Sequence, residues 1–237
     1  MRIGRVILLL ICFATIALAQ QSSITPELLR PWLTYLASDE LEGRATFSEG
    51  LGLAAAYIVD QLKEAGVKPG GDHGSYFADY PTVPIDKIVA QLNMDMAGRN
   101  HDNMESESNT AYPVGSDRIS TELHNIMMDA NAGLTKPMTL DFQLNDPTDP
   151  ERVYYRSDHY NYAVKGIPVI FFTTFLHPDY HRPTDSVEKI NFDKLAHIAQ
   201  FIYEAGRRLG NLDHAPVRDQ KGPRLGKGGQ GKILASN

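Results

Sequence analysis

Apolar side chains recur every three or four residues in four stretches of the chain, and this spacing predicts four helices. The first begins at Thr25 and Pro26, which combine a capping side chain with a proline in the first turn. Ser116 is the predicted cap of the third. The four predicted helices span residues 25–38, 48–65, 116–130 and 191–210.

Three further segments have the patterns of strands. Residues 87–96 (KIVAQLNMDM) and 167–174 (IPVIFFTT) are apolar almost throughout, as in interior strands of a parallel sheet that is covered on both faces. Residues 138–144 alternate, as expected of an edge or half-exposed strand. A short helix, capped by Ser157 and ending at Gly166, precedes the second apolar segment. These elements predict an α/β protein, a three-layer α/β/α sandwich with a mostly parallel central sheet.

The chain begins with a segment that resembles an export signal. Arg2 and Arg5 precede an apolar run at 6–18 that ends in small residues, so we expect residues 1–19 to be a signal peptide and the protein to be secreted or periplasmic. The run is shorter than the roughly 20 residues of a membrane span, which argues against a stable membrane anchor. Cys12, the only cysteine, lies within it, so the remaining chain has no disulfide and no cysteine metal ligand.

Composition and charge exclude some classes of partner. The 237 residues are 42% hydrophobic and carry a net charge of −6, which falls further when the two leader arginines are removed. An acidic exported protein is a poor candidate for binding nucleic acid. We expect one domain over residues 20–212, followed by a basic, glycine-rich and disordered tail at 213–237. The oligomeric state does not follow from the sequence.

Two polar side chains follow the two apolar strands. Asp95 stands at the end of the first, and His181 lies in the irregular loop HPDYHRPTDS (177–186) after the second. Carboxylate and imidazole are the ligands that suit zinc in a cysteine-free chain, and ligands collect beyond the carboxyl ends of parallel strands. Taken alone, Asp95 is more typical of a helix cap or loop salt bridge than of a metal ligand, and His181 of a hydrogen-bonded surface histidine. The occurrence of both, each after a buried strand, is what favours the metal site.

Two other stretches contain candidate site residues. In YYRSDHY (154–160), Tyr154 precedes Ser157, Asp158 and His159, which open the short helix; capping explains the serine and aspartate without any function. Arg44, between the first two helices, has the chemistry to hold a substrate carboxylate or to form a loop salt bridge.

Four motifs together resemble the secreted di-zinc aminopeptidases of the bacterial leucine aminopeptidase type, which share a fold with glutamate carboxypeptidase and glutaminyl cyclase. The motifs are LASDELEGR at 36–44, LNMDMAGR at 92–99, YRSDHYNYAVKGIPVIFF at 155–172 and HPDYHRPTDS at 177–186.

The resemblance implies a zinc-dependent exopeptidase that hydrolyses N-terminal residues of peptides. It implies that Asp95 binds one of two zinc ions and His181 the other. It also implies that Tyr154 helps to hold the oxyanion, and that the stretch from Ser157 to His159 walls the site. A cyclase acting on N-terminal glutamine is a further possibility on the same fold.

The family pattern is incomplete in the middle of this chain. The resemblance implies a His-x-Asp motif, a bridging aspartate and a Glu-Glu pair before Asp95, yet only 29 residues separate Gly66 from Asp95. A βαβ unit takes about 30 residues or more, so the sequence indicates an α/β fold that is incomplete relative to the family. Asp72 and His73 are better explained as a turn than as substitutes. We therefore expect weak zinc binding and little hydrolysis, or alternatively a catalytically inactive remnant or binding module.

Overall fold

The computed structural model describes residues 23–78 and 85–219. The predicted signal peptide at 1–19 and most of the predicted tail, residues 220–237, lie outside these ranges. Within them, no helix has both the length and the apolar character that a membrane crossing requires.

Five helices and four strands form the described fold. The helices are α1 (Pro26–Leu36), α2 (Glu49–Glu64), α3 (Thr121–Ala132), α4 (His159–Ala163) and α5 (Phe192–Gly210). The strands are β1 (Gln91–Met94), β2 (Thr110–Val114), β3 (Thr139–Leu140) and β4 (Val169–Thr173).

The strands form one sheet in the order β1-β4-β2-β3. Strands β1 and β4 are parallel, β2 and β3 are parallel, and β2 runs antiparallel to β4. The predicted mixed α/β class with a mostly parallel sheet is therefore confirmed. The central strand β4 is completely buried along its length.

Side chains of β4 alternate between two apolar cores, one on each face of the sheet. Ile170 and Phe172 pack into the core that contains α3 and α5, with α1 at its border. Val169 and Phe171 pack into the other, beneath α4. Two covered faces give the three layers that the sequence predicts.

The first predicted strand is shorter and more exposed than expected. Only Gln91–Met94 is extended, its four residues are partly or fully exposed, and it lies at the edge of the sheet. The prediction of an interior position was therefore wrong, because among the described residues β1 pairs with β4 alone. The alternating segment at 138–144 does lie at the opposite edge, although only Thr139 and Leu140 form ladder pairs.

A buried strand, β2, lies between residues 96 and 116, where the sequence pattern indicated neither a helix nor a strand. Pro113 stands in its middle, and proline is normally confined to edges of sheets, so the sequence pattern pointed away from a strand. The next helix also begins later than predicted. Ser120, not Ser116, caps α3, because the Ser116 hydroxyl is bonded to Nδ1 of His124 instead.

The start of the predicted disordered tail lies against α3. Glu122 bonds the backbone N–H of Val217 and the imidazole of His214, and Asp219 accepts a hydrogen bond from the backbone N–H of Thr121. Residues 213–219 are thereby anchored, while disorder beyond them stays a prediction.

The packing of α2 on the loop before it depends on one glycine. A Cβ atom at Gly50 would lie 1.9 Å from the carbonyl oxygen of the buried Leu41. We expect Gly50→Ala to lower the free energy of unfolding by about 1–3 kcal/mol, because the helix must shift away from that backbone. Urea denaturation measures this change.

Gly52→Ala in the same helix is the matched control. A Cβ atom at Gly52 would have no neighbouring atom within 4 Å, and we expect this substitution to be neutral or stabilising by up to about 1 kcal/mol. Equal effects of the two substitutions would contradict the close contact.

Burial of His159 predicts a pH-dependent stability. The ring is fully buried and stacks on Phe171 at 4.7 Å, and desolvation lowers its pKa from 6.5 to about 4. The folded state therefore excludes a proton that the unfolded chain takes up below pH 6.5, so this contribution to stability is lost as the pH falls toward 4. Between pH 7 and 5 we expect the wild type to lose about 2 kcal/mol more than His159→Phe. Urea unfolding at pH 7 and pH 5 measures this loss of stability. As a control, the exposed His73→Gln variant should lose as much stability as the wild type. If His159→Phe also loses as much as the wild type, burial of His159 is not the cause.

Candidate metal and substrate site

The ends of β1 and β4 are fastened together at one edge of the sheet. The backbone N–H of Asp95, the residue after β1, donates to the carbonyl oxygen of Phe172 in β4. The carbonyl oxygen of Met96 then accepts two bonds from Thr174, at 3.0 Å from its backbone nitrogen and 2.6 Å from its hydroxyl. Asp95 and the loop that follows β4 are therefore held side by side.

A serine orients the carboxylate of Asp95. The hydroxyl of Ser157 donates to Oδ2 of Asp95 at 2.7 Å and accepts a bond from the amide of Asn93 at 2.8 Å. The prediction that Ser157 caps the short helix was wrong, because α4 begins at His159 and the serine hydroxyl is hydrogen-bonded to Asp95. A serine 62 positions away gives no local signal of this contact.

His181 lies in the loop after β4. Its backbone has a positive φ of 55°, and its exposed ring stacks on Tyr180 with a centroid distance of 3.9 Å. Asp95 and His181 both line one cavity of about 600 Å³, as do Arg44, Arg99 and other residues. The two residues that the sequence singled out as metal ligands thus line the same cavity.

Buried ion pairs hold the loop that carries His181. Arg99, with its side chain 9% exposed, bonds Asp179 at 2.8 Å and also bonds Asp185. Lys189 bonds the other oxygen of Asp179 at 2.7 Å. Hydrogen bonds from Lys189, and then from Arg99, hold the pKa of Asp179 well below its usual range. The sequence did not reveal this network, because its members come from three separate segments.

The same loop contains a second group of potential metal ligands. Atoms of His177, Asp179 and Asp185 lie within 4.8 Å of one another. Both carboxylates are already neutralised by Arg99 and Lys189, so a metal ion would have to displace these cations. We assign the group to the support of the loop.

Four of the predicted site residues, Tyr154, Ser157, Asp158 and His159, do not line the cavity. Tyr154 is 1% exposed, and its ring packs beneath the guanidinium of Arg118 at 3.9 Å. Burial raises the pKa of its hydroxyl, which makes no hydrogen bond with the described residues. His159 is buried on Phe171, and Asp158 is exposed at the start of α4. The predicted wall therefore contributes only through Ser157, which reaches Asp95.

Two arginines of the cavity differ in their partners. Arg156 bonds Glu151 at 3.0 Å. Arg44 has no ion pair among the residues that the structure describes, so the alternative of a loop salt bridge is not realised there. Arg156 was missed because its position beside Ser157 gave no separate signal.

The predicted metal ligands are of the types that zinc prefers, but they are too few to form a zinc site. Asp95 offers a carboxylate and His181 an imidazole, whereas zinc sites in proteins have three or four protein ligands. Within the described ranges, neither residue belongs to a group of three close ligand side chains. The chain therefore does not provide a complete zinc site from these residues.

Similarity to solved structures is distant. An aminopeptidase from Aneurinibacillus sp. strain AM-1 is 18% identical, with 62% of this chain and 31% of that chain covered and a TM-score of 0.40. BSAP, a zinc aminopeptidase from Bacillus subtilis, is 16% identical, with 55% and 31% covered and a TM-score of 0.36. The aligned region spans about a third of these two proteins. No curated protein matches the chain.

Similarity to a protein family is more extensive. The family model described as peptidase family M28 matches residues 71–206. This region contains Asp95, Ser157, His181 and the loop network around Arg99, and it covers more than half of the sequence. The chain therefore belongs to peptidase family M28.

Proposed function

We propose that the chain is a zinc-exopeptidase-type domain that receives the end of a peptide in the cavity between Asp95 and His181. Membership of peptidase family M28 supports the peptide as ligand. The observation that carries the proposal is that both predicted metal ligands line this one cavity. In it, Asp95 is a ligand of one zinc ion and His181 of the other, and the protein acts outside the cytoplasm after export.

The shortage of ligands limits the chemistry that this chain performs alone. With one protein ligand for each zinc ion, water completes most of each coordination shell, and binding is weak. The described residues near Asp95 and His181 include no glutamate placed to move a proton, and Tyr154 lies in the core. Peptide binding with little or no hydrolysis is the activity that this arrangement supports.

A second candidate is a binding module that holds peptides without any metal. The neutralisation of the ligand group around Asp179 by Arg99 and Lys189 favours it, because the cavity then retains few carboxylates for a cation. Zinc affinity separates the two candidates.

Zinc titration of the purified protein by calorimetry tests the metal assignment. We expect measurable but weak binding, which falls at least about tenfold in Asp95→Ala and in His181→Ala, because each substitution removes a ligand. Asp129→Ala and His214→Ala are controls outside the cavity and should bind zinc as the wild type does.

Turnover of an aminoacyl chromogenic substrate completes the test. We expect little or no release of product by the wild type at saturating zinc. Zinc binding that is unchanged in both cavity variants would refute the assignment of Asp95 and His181. If the protein instead binds two zinc ions tightly and turns over the substrate rapidly, the conclusion that it has too few zinc ligands is wrong.

A further inference from the structure

Among the described residues, the side chain of Arg44 has no counter-charge, and it lines the wall of the cavity. Arg99 and Arg156, which also line the cavity, have carboxylate partners in the protein. Arg44 is exposed and forms no ion pair or side-chain hydrogen bond with the described residues. Its guanidinium is therefore available to a ligand in the cavity.

The backbone that carries Arg44 is fixed in place. Leu41, three residues earlier, is fully buried, and α2 approaches it so closely that only a glycine fits at position 50. The chain then turns through three consecutive residues of positive φ, Glu42 at 47°, Gly43 at 73° and Arg44 at 55°. Left-handed backbone at non-glycine residues costs about 1 kcal/mol or more each, and persists where the surrounding packing imposes it.

The size of the cavity limits the ligand. A volume of about 600 Å³ lies within the range of small-molecule sites. A sphere of this volume is roughly 10 Å across, which is about the length of three extended residues. A peptide of two or three residues is therefore comparable in length to this cavity, which is open to solvent on one side.

We infer that Arg44 binds a carboxylate of the peptide, and that the cavity prefers short peptides that carry one over those that do not. A guanidinium donates two parallel hydrogen bonds to a carboxylate, and this geometry gives both charge recognition and orientation. The carboxylate is either the free C-terminus or an acidic side chain. The inference rests on the proposed function, namely that the cavity binds peptides.

Calorimetric binding of three dipeptides to the full chain tests the inference. The ligands are Ala-Ala, Ala-Ala amide, which has no carboxylate, and Ala-Glu amide, which has only a side-chain carboxylate. We expect the wild type to bind at least one carboxylate-bearing peptide about fivefold more tightly than Ala-Ala amide, as for a partly exposed ion pair. If Ala-Ala binds more tightly than Ala-Glu amide, the carboxylate is the free C-terminus; if Ala-Glu amide binds more tightly, it is an acidic side chain.

Two variants assign the preference to Arg44. In Arg44→Gln the three peptides should bind equally, with the affinity of Ala-Ala amide little changed. Arg218→Gln removes an exposed arginine that does not line the cavity, and should retain the wild-type preference. Circular dichroism confirms that both variants fold.

The possible failures are distinguishable. Equal binding of all three peptides by the wild type, or a preference that persists in Arg44→Gln, overturns the role of Arg44 and leaves the peptide site intact. No binding of any of the three overturns the peptide site and the role of Arg44 with it.

Discussion

The parallel pairing of β1 with β4 is the constraint on which the site depends. Parallel strands end at the same edge of a sheet, so the residue after β1 and the loop after β4 become neighbours. The two bonds from Thr174 to the carbonyl oxygen of Met96 secure this arrangement just beyond the strands. Without that pairing, Asp95 and His181, 86 positions apart, would have no structural reason to share a cavity.

The charged side chains on the two sides of the cavity differ in whether they have partners within the protein. On the side of the His181 loop, Arg99 and Lys189 neutralise Asp179 and Asp185, which fixes an otherwise irregular segment. Removing one partner of the Arg99–Asp179 pair would leave a buried charge uncompensated, so this pair stabilises the observed conformation of the loop. Arg44, by contrast, has no partner among the described residues. Within the part of the chain that the structure describes, the cavity thus combines a wall of paired charges with one cation, Arg44, that is free to bind a ligand.

The sequence predicted the elements whose patterns are local. Helices α2 and α5 begin after the capping side chains Ser48 and Asn191, and the apolar run of β4 identified the central strand. Asp95 and His181 were found because each follows a strand whose composition marked it clearly. In these cases, a few adjacent residues carry the information.

The sequence failed where long-range contacts decide the structure. Pro113 in the middle of β2 argued against a strand there. The apolar composition of residues 87–96 suggested an interior strand, although β1 has a single partner strand in the ranges 23–78 and 85–219. Ser157 has the features of a helix cap, yet its hydroxyl is bonded to Asp95, a choice that no local pattern records. Tyr154 and His159 are polar residues in a suggestive motif, but burial against Arg118 and Phe171 places them in the core.

We propose that Asp95 and His181 bind metal ions within one cavity. Anomalous diffraction at the zinc absorption edge, from crystals of the protein soaked in zinc, tests this assignment directly. We expect zinc peaks within coordination distance of the Asp95 carboxylate and the His181 imidazole, with water as most of the remaining ligands. Zinc bound only among His177, Asp179 and Asp185, or only outside the cavity, would contradict it.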